Sequence, residues 1–190
     1  MKITKAQVQA NRARVVETAS ALFRERGYDG IGVADLMSAA GLTHGGFYKH
    51  FGSKADLMAE AAACGIAQTV AQSTGADAAA FARYYVSRAH RDARATGCTM
   101  AALGGDAARQ PDAVRATFAD GIERLLAALG GAGPDRARIL DLLAHAAGAV
   151  VMSRACPDDS PLADEILATC RDAILASLDA SAPKPGAARP

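Results

Sequence analysis

The residues best suited to chemistry lie between Ala39 and Phe51, in the stretch Ala-Ala-Gly-Leu-Thr-His-Gly-Gly-Phe-Tyr-Lys-His-Phe. Phe47 and Phe51 are four apart, so both project from one side of a short helix and anchor it to a core. Thr43 is an N-cap candidate for that helix, and Gly41 supplies the unusual backbone that ends the helix before it. His44, Gly45, Tyr48 and Lys49 then fall on or near the outer side. They offer donors, a cation and close backbone approach, which is what phosphates and base edges require. His50 serves either a phosphate or a structural hydrogen bond. Lys54, beside the Ser53 cap, is placed to pair with a phosphate at a helix N-terminus. A helix, a Gly-containing turn and a second helix with a polar outer face predict a helix-turn-helix.

A second candidate is Cys98. It opens a predicted helix, and His90, Arg91 and Arg94 precede it, a setting that lowers a thiol pKa. The competing reading is a small buried hydrophobe. Cys64, Cys156 and Cys170 read as packing residues. The four cysteines are widely spaced with no CxxC pair, and no Cys/His pair has ligand spacing, so neither a metal nor a cofactor is implied. P-loop, GxSxG and paired-carboxylate signatures are missing as well, which weighs against an enzyme.

The 190 residues are 51% hydrophobic, rich in Ala and without strict alternation, which predicts an all-α chain. No apolar run reaches a membrane span and no signal segment opens the chain, so a cytoplasmic location is expected. The net charge of +1 is unevenly spread. Residues 1–54 carry eight Lys and Arg against four Asp and Glu, and residues 55–190 carry thirteen against sixteen. A basic head on an acidic body fits DNA binding.

About nine helices position these residues. The first, over 5–26, buries Val8, Val15, Ala19, Leu22 and Phe23; Lys2 and Lys5 at its start are free to meet phosphates. The second spans 33–40, the third is the stretch above, and the fourth spans 54–71 with Ser53 as its cap. The fifth spans 77–88, followed by a loop over 89–97. The sixth runs from 98 to before 111, the seventh over 111–129, the eighth over 134–154 and the ninth over 162–178. The ninth carries Leu162, Ile166, Cys170, Ile174 and Leu178 inward. The domains are a DNA-binding head (1–53), a ligand-binding and dimerisation body (54–180) reached by the helix from 54, and a disordered tail (181–190). Phe81, Tyr84, Tyr85, Met100, Leu103, Phe118 and Ile122 either line a ligand cavity or fill a core. Ala144, Ala147, Gly148 and Ala176 are small enough to let a partner helix approach.

Ala19, Leu22-Phe23, Gly27-Tyr28, Val33, Leu36, Ala40-Gly41-Leu42-Thr43, Gly45, Phe47-Tyr48, His50-Phe51, Ser53-Lys54 and Leu57 together resemble the TetR/AcrR family of bacterial transcriptional regulators. The resemblance implies a three-helix DNA-binding head, an all-helical body with a pocket for a small-molecule inducer, and a homodimer through the last two helices (134–154 and 162–178). Such a protein would leave a near-palindromic duplex operator when the inducer binds. Two departures stand out: Ile31-Gly32 where the family usually has a Thr pair, and the tandem Gly45-Gly46. Gly97-Cys98-Thr99-Met100 resembles a segment of one branch in which a cysteine senses electrophiles or oxidants. Two alternatives remain at this stage: a thiol-dependent, peroxide-consuming enzyme using Cys98, and a constitutive DNA binder without inducer.

Overall fold

A computed structural model describes residues 4–131 and 133–180, so the expectations for Lys2 and for the tail 181–190 lie outside the described residues. Nine α-helices run in order: α1 (Lys5–Arg26), α2 (Val33–Ala39), α3 (Lys54–Ser73), α4 (Ala78–Tyr85), α5 (Arg88–Asp92), α6 (Thr99–Ala107), α7 (Asp112–Ala128), α8 (Arg136–Ala155) and α9 (Pro161–Ala180). Two 3-10 turns, His44–Lys49 and Gly133–Asp135, complete the elements, and no strand occurs among the described residues. The fold is all-α.

Helix starts follow the capping chemistry. Thr4 Oγ1 accepts from Gln7 N–H at 3.2 Å, Ser53 Oγ from Asp56 N–H at 3.1 Å, and Asp77 Oδ2 from Ala80 N–H at 3.2 Å. Each cap stabilises its helix by about 1 kcal/mol. Gly32 starts α2 with no side-chain cap, as Ile31-Gly32 implied. The segment over 89–97 is not wholly loop. Ser87 Oγ accepts the His90 N–H at 3.2 Å and starts α5, five residues long and too short to announce itself by periodicity.

The apolar packing forms two clusters. One joins Val15, Ala19 and Phe23 of α1 to Leu36, Phe47, Phe51 and Leu57, and extends to Leu103, Val114 and Phe118 of the body. The other gathers Phe81, Tyr85, Cys98, Leu125, Leu142, Val150, Leu167 and Ile174. The head is therefore seated on α6 and α7 through shared core, not merely strung to them by α3. α3 crosses α7 so closely that a Cβ at Gly121 would stand 2.7 Å from Ile66 Cδ1. Val8 is exposed rather than buried, because the first two turns of α1 run ahead of any helix that could cover them. On α9, Ala163, Leu167, Ile174 and Leu178 are buried while Leu162 is exposed, so the inward stripe is rotated from the four-residue steps expected.

Candidate nucleic-acid interface and body cavity

The turn before the recognition segment forms as its sequence suggests. Gly41 takes φ +70°, a left-handed conformation that glycine adopts without a Cβ clash. That reversal lets Leu42 N–H donate to Met37 O at 2.9 Å and Gly41 N–H to Ser38 O at 2.9 Å, satisfying the last carbonyls of α2. The segment that follows, His44–Lys49, is a 3-10 helix rather than an α-helix. Two glycines cost about 1 kcal/mol each relative to Ala in a helix interior, and only Phe47 among the six residues is buried. Thr43 does not cap it: its side chain makes no cap hydrogen bond, and its carbonyl accepts from Gly46 N–H at 2.9 Å instead.

Phe47, fully buried, holds the segment down. Its ring lies 5.5 Å from that of Phe51 and meets Tyr48 edge-on at 5.2 Å. Thr43, His44, Gly45, Tyr48 and Lys49 all face outward, Tyr48 with 72% of its surface accessible. Nothing lies within 4 Å of a Cβ built at Gly45, so the backbone there is open to a close-lying surface. Residues 41–54 contain no acidic residue, so the outward cations are not neutralised from within. His50 is half-buried, with its carbonyl accepting from Arg12 Nε at 3.3 Å and its Nδ1 buried without a partner. The Arg12 guanidinium also stands 4.8 Å over the Phe51 ring.

Lys54 is corrected. Its ammonium donates to the carbonyls of Tyr28 at 2.5 Å and Ile31 at 2.9 Å, pinning the turn between α1 and α2 from inside. It is a clasp on the head, not an arm toward a phosphate. Nothing in the local sequence distinguishes the two, since both place a lysine beside a helix cap. Lys54→Ala is expected to destabilise the protein by about 2 kcal/mol, because two sheltered carbonyls lose a charged donor. Urea unfolding measures that loss, while the salt dependence of DNA binding should keep its slope; a lower slope with unchanged stability would return Lys54 to the phosphates.

For Cys98 the geometry favours the packing reading of the two. The residue is 3% exposed, short of the accessibility a reactive thiol needs. Its backbone N–H donates to His90 Nε2 at 3.0 Å, so Nδ1 carries the imidazole proton and donates to the Tyr85 carbonyl at 2.7 Å. Arg91 and Arg94 turn toward Asp158 rather than the sulfur, with N–O separations of 3.0 and 3.9 Å. Arg91, 1% exposed, binds Ser153 Oγ at 3.0 Å and Asp92 at 2.7 Å, and so ties α5 to the end of α8. The other three cysteines are free and half-buried, and among the described residues no group of three or more His, Cys, Asp or Glu could hold a metal ion.

Burial lowers the His90 pKa below its usual 6.5, with the Tyr85 carbonyl opposing and Arg154 adding to the shift. The unfolded chain therefore takes up a proton near pH 6.5 that the folded chain refuses. Stability is full above that pH and falls as the pH drops through 6.5 toward the folded-state value. Melting temperatures between pH 5 and 8 should show this slope, and His90→Gln should flatten it.

Between α6, α7 and α8 lies a cavity of about 500 Å³. Tyr85, Met100, Phe118 and Ile122 line it, with Leu140 and Ala147 opposite and Arg115 as its one charged wall residue. Phe81 and Leu103 are buried but off the wall, and Tyr84 points to solvent with 60% of its surface accessible. α4 is one short turn-pair, and its buried face holds Phe81 and Tyr85 but not the residue between them. No helix among the described residues is long and apolar enough to cross a membrane.

Residues 15–61 match the family described as bacterial regulatory proteins, tetR family. The HTH-type transcriptional regulator TtgR of Pseudomonas putida is 40% identical over 55 residues, 29% of this chain and 26% of that one. The HTH-type transcriptional repressor KstR2 of Mycobacterium tuberculosis is 39% identical over 54 residues, 28% and 27% of the two chains. The matched segment thus spans about a quarter of the length of these relatives. Among solved structures, the reduced form of E. coli NemR superposes with a TM-score of 0.70 at 18% identity, over 87% of this chain and 95% of that one. A TetR-family regulator from Agrobacterium tumefaciens gives 0.64 at 23% identity, over 89% and 98%. These structural likenesses carry the fold and nothing finer.

Proposed function

Because the chain belongs to the TetR/AcrR family of bacterial transcriptional regulators, we propose that it is a homodimeric repressor that releases its operator on binding an apolar small molecule. The observation that carries the reading is the outward row of His44, Gly45, Tyr48 and Lys49 on a segment anchored by Phe47, in a stretch free of acids. Thr43 and His50 flank that row, and Thr43, unspent as a cap, keeps its hydroxyl for a phosphate. Lys54 has no part in it.

Support for dimerisation comes from α8 and α9. Met152 is exposed on α8 and Leu162 on α9, and exposed Gly148 leaves room for a second helix to approach. Large exposed apolar residues call for a partner. The inducer reading rests on the cavity of about 500 Å³, a size that suits small ligands, with apolar walls and no acid to hold a cation. The thiol-dependent readings, switch or enzyme, have no comparable support, because Cys98 is buried. The matched relatives are regulators, not enzymes.

Selection from random duplexes tests this. The protein should enrich an inverted repeat whose half-sites lie about one helical turn, ~34 Å, apart, and sedimentation should give a dimer. A monomer that enriches no sequence would overturn the proposal.

A further inference from the structure

A second opening, of about 290 Å³, lies where the last turn of α1, the first turn of α6 and the last turn of α8 meet. Its walls include Arg24, Arg94 and Arg154, with Ala101, Ala102 and Val151 between them. We propose that this cleft binds a small phosphate monoester, or another compact dianionic oxyanion, at a site separate from the body cavity.

Among the described residues, the protein leaves two charges at this cleft without a carboxylate partner. Arg24 is 6% exposed and donates to the Ser20 carbonyl at 3.1 Å, the Gly97 carbonyl at 3.0 Å and Gln68 Oε1 at 3.2 Å. Arg154 donates to the carbonyls of Arg91 at 2.8 Å and His90 at 3.1 Å. Neither has a carboxylate partner among the described residues. Arg91 makes the contrast: also buried, it has both Asp92 and Asp158 within 3.0 Å. Burial disfavours the charged form of Arg24, with Cys64 and Cys98 opposing, and of Arg154, where Tyr85 and Cys98 oppose the shift and Arg94 and Arg91 add to it. A sheltered charge without a counter-charge is costly, and an arriving anion removes that cost.

The geometry supplies donors. A guanidinium has five N–H groups, so the three bonds of Arg24 leave two and the two bonds of Arg154 leave three. The two arginines bracket Gly97, where a Cβ would stand 3.4 Å from Arg154 Nη2. Cys98, the N-cap of α6, gives its first-turn amides no side-chain bond, so that end keeps its partial positive charge. Ala101 and Ala102, in the first turn and just past it, form the wall beside it. Glu25 is the one acid among the wall residues, and its carboxylate lies 3.7 Å from Arg26. Guanidinium forks suit a tetrahedral oxyanion, and the small apolar side chains leave space for a compact organic remainder. Arg24 belongs to the head and Arg154 to the body, so an occupant would clamp one to the other.

Calorimetry on the full chain without DNA, at constant ionic strength, tests the site with phenyl phosphate, inorganic phosphate and benzoate. Both phosphates should bind saturably, one per chain, and phenyl phosphate should bind at least about tenfold tighter than benzoate. Arg94→Gln, an exposed change that leaves the buried network intact, should weaken phenyl phosphate about tenfold, and Arg154→Gln should abolish it. Tyr48→Ala with Lys49→Ala should leave it unchanged, which separates this site from the DNA-facing one. No saturable binding, equal affinity for benzoate, or loss in the Tyr48/Lys49 variant with retention in Arg94→Gln would each overturn the proposal. None of these readouts depends on the protein being a repressor.

Discussion

Replacing Tyr48 and Lys49 together by alanine should weaken operator binding about a thousandfold while leaving the fold nearly as stable as before. Both side chains are exposed, and neither makes a polar contact with another side chain among the described residues. Lys49 spends nothing on the fold; Tyr48 gives up only its edge contact with Phe47. On DNA, each lost base or phosphate contact is worth about 1 kcal/mol at the low end. Two contacts in each of two half-sites make about 4 kcal/mol, close to three decades in affinity. Fluorescence anisotropy with the selected duplex at fixed salt reads the loss, and urea unfolding reads the stability. Undiminished affinity in the double variant would remove these residues from the interface and leave the proposed function without its main support.

Phe47→Ala should fail differently, losing both stability and DNA binding. The side chain is fully buried between the recognition segment and α1–α3, with Phe51 at 5.5 Å. Truncating a buried phenylalanine costs about 3–5 kcal/mol. The 3-10 segment carries no other buried residue and no side-chain cap, so Phe47 is its one side-chain anchor in the core. Phe47→Leu, which keeps most of the volume, should cost far less and retain specific binding. Denaturant unfolding followed by circular dichroism separates the three proteins. An alanine variant of wild-type stability would mean that Phe47 is not the anchor. The contrast with Tyr48 and Lys49 separates the residue that holds the segment from those proposed to meet DNA.

Much of the head was legible from residue order. Gly41 ends α2 in the left-handed region, Ser53 caps α3, and Phe47 and Phe51 share one buried side while Tyr48 and Lys49 face out. These are local outcomes: backbone sterics, caps three residues away and the periodicity of apolar side chains are written within a few positions of one another. The same logic misjudged Thr43, whose hydroxyl stays out of the cap because Gly45-Gly46 favours a tighter turn. What only the tertiary structure decided is where long or single polar side chains end. Lys54 reaches back to Tyr28 and Ile31, and Arg24 crosses from α1 to Gly97, 73 positions away. Cys98 opens its helix as expected, yet packing of α4 and α8 around it seals the sulfur from solvent. Periodicity states which side of a helix is apolar; it does not state which neighbour covers that side, nor which carbonyl or carboxylate lies within reach of a flexible charged tip. That is why the outward row could be read in advance, whereas the lysine clasp, the buried thiol and the arginine cleft could not.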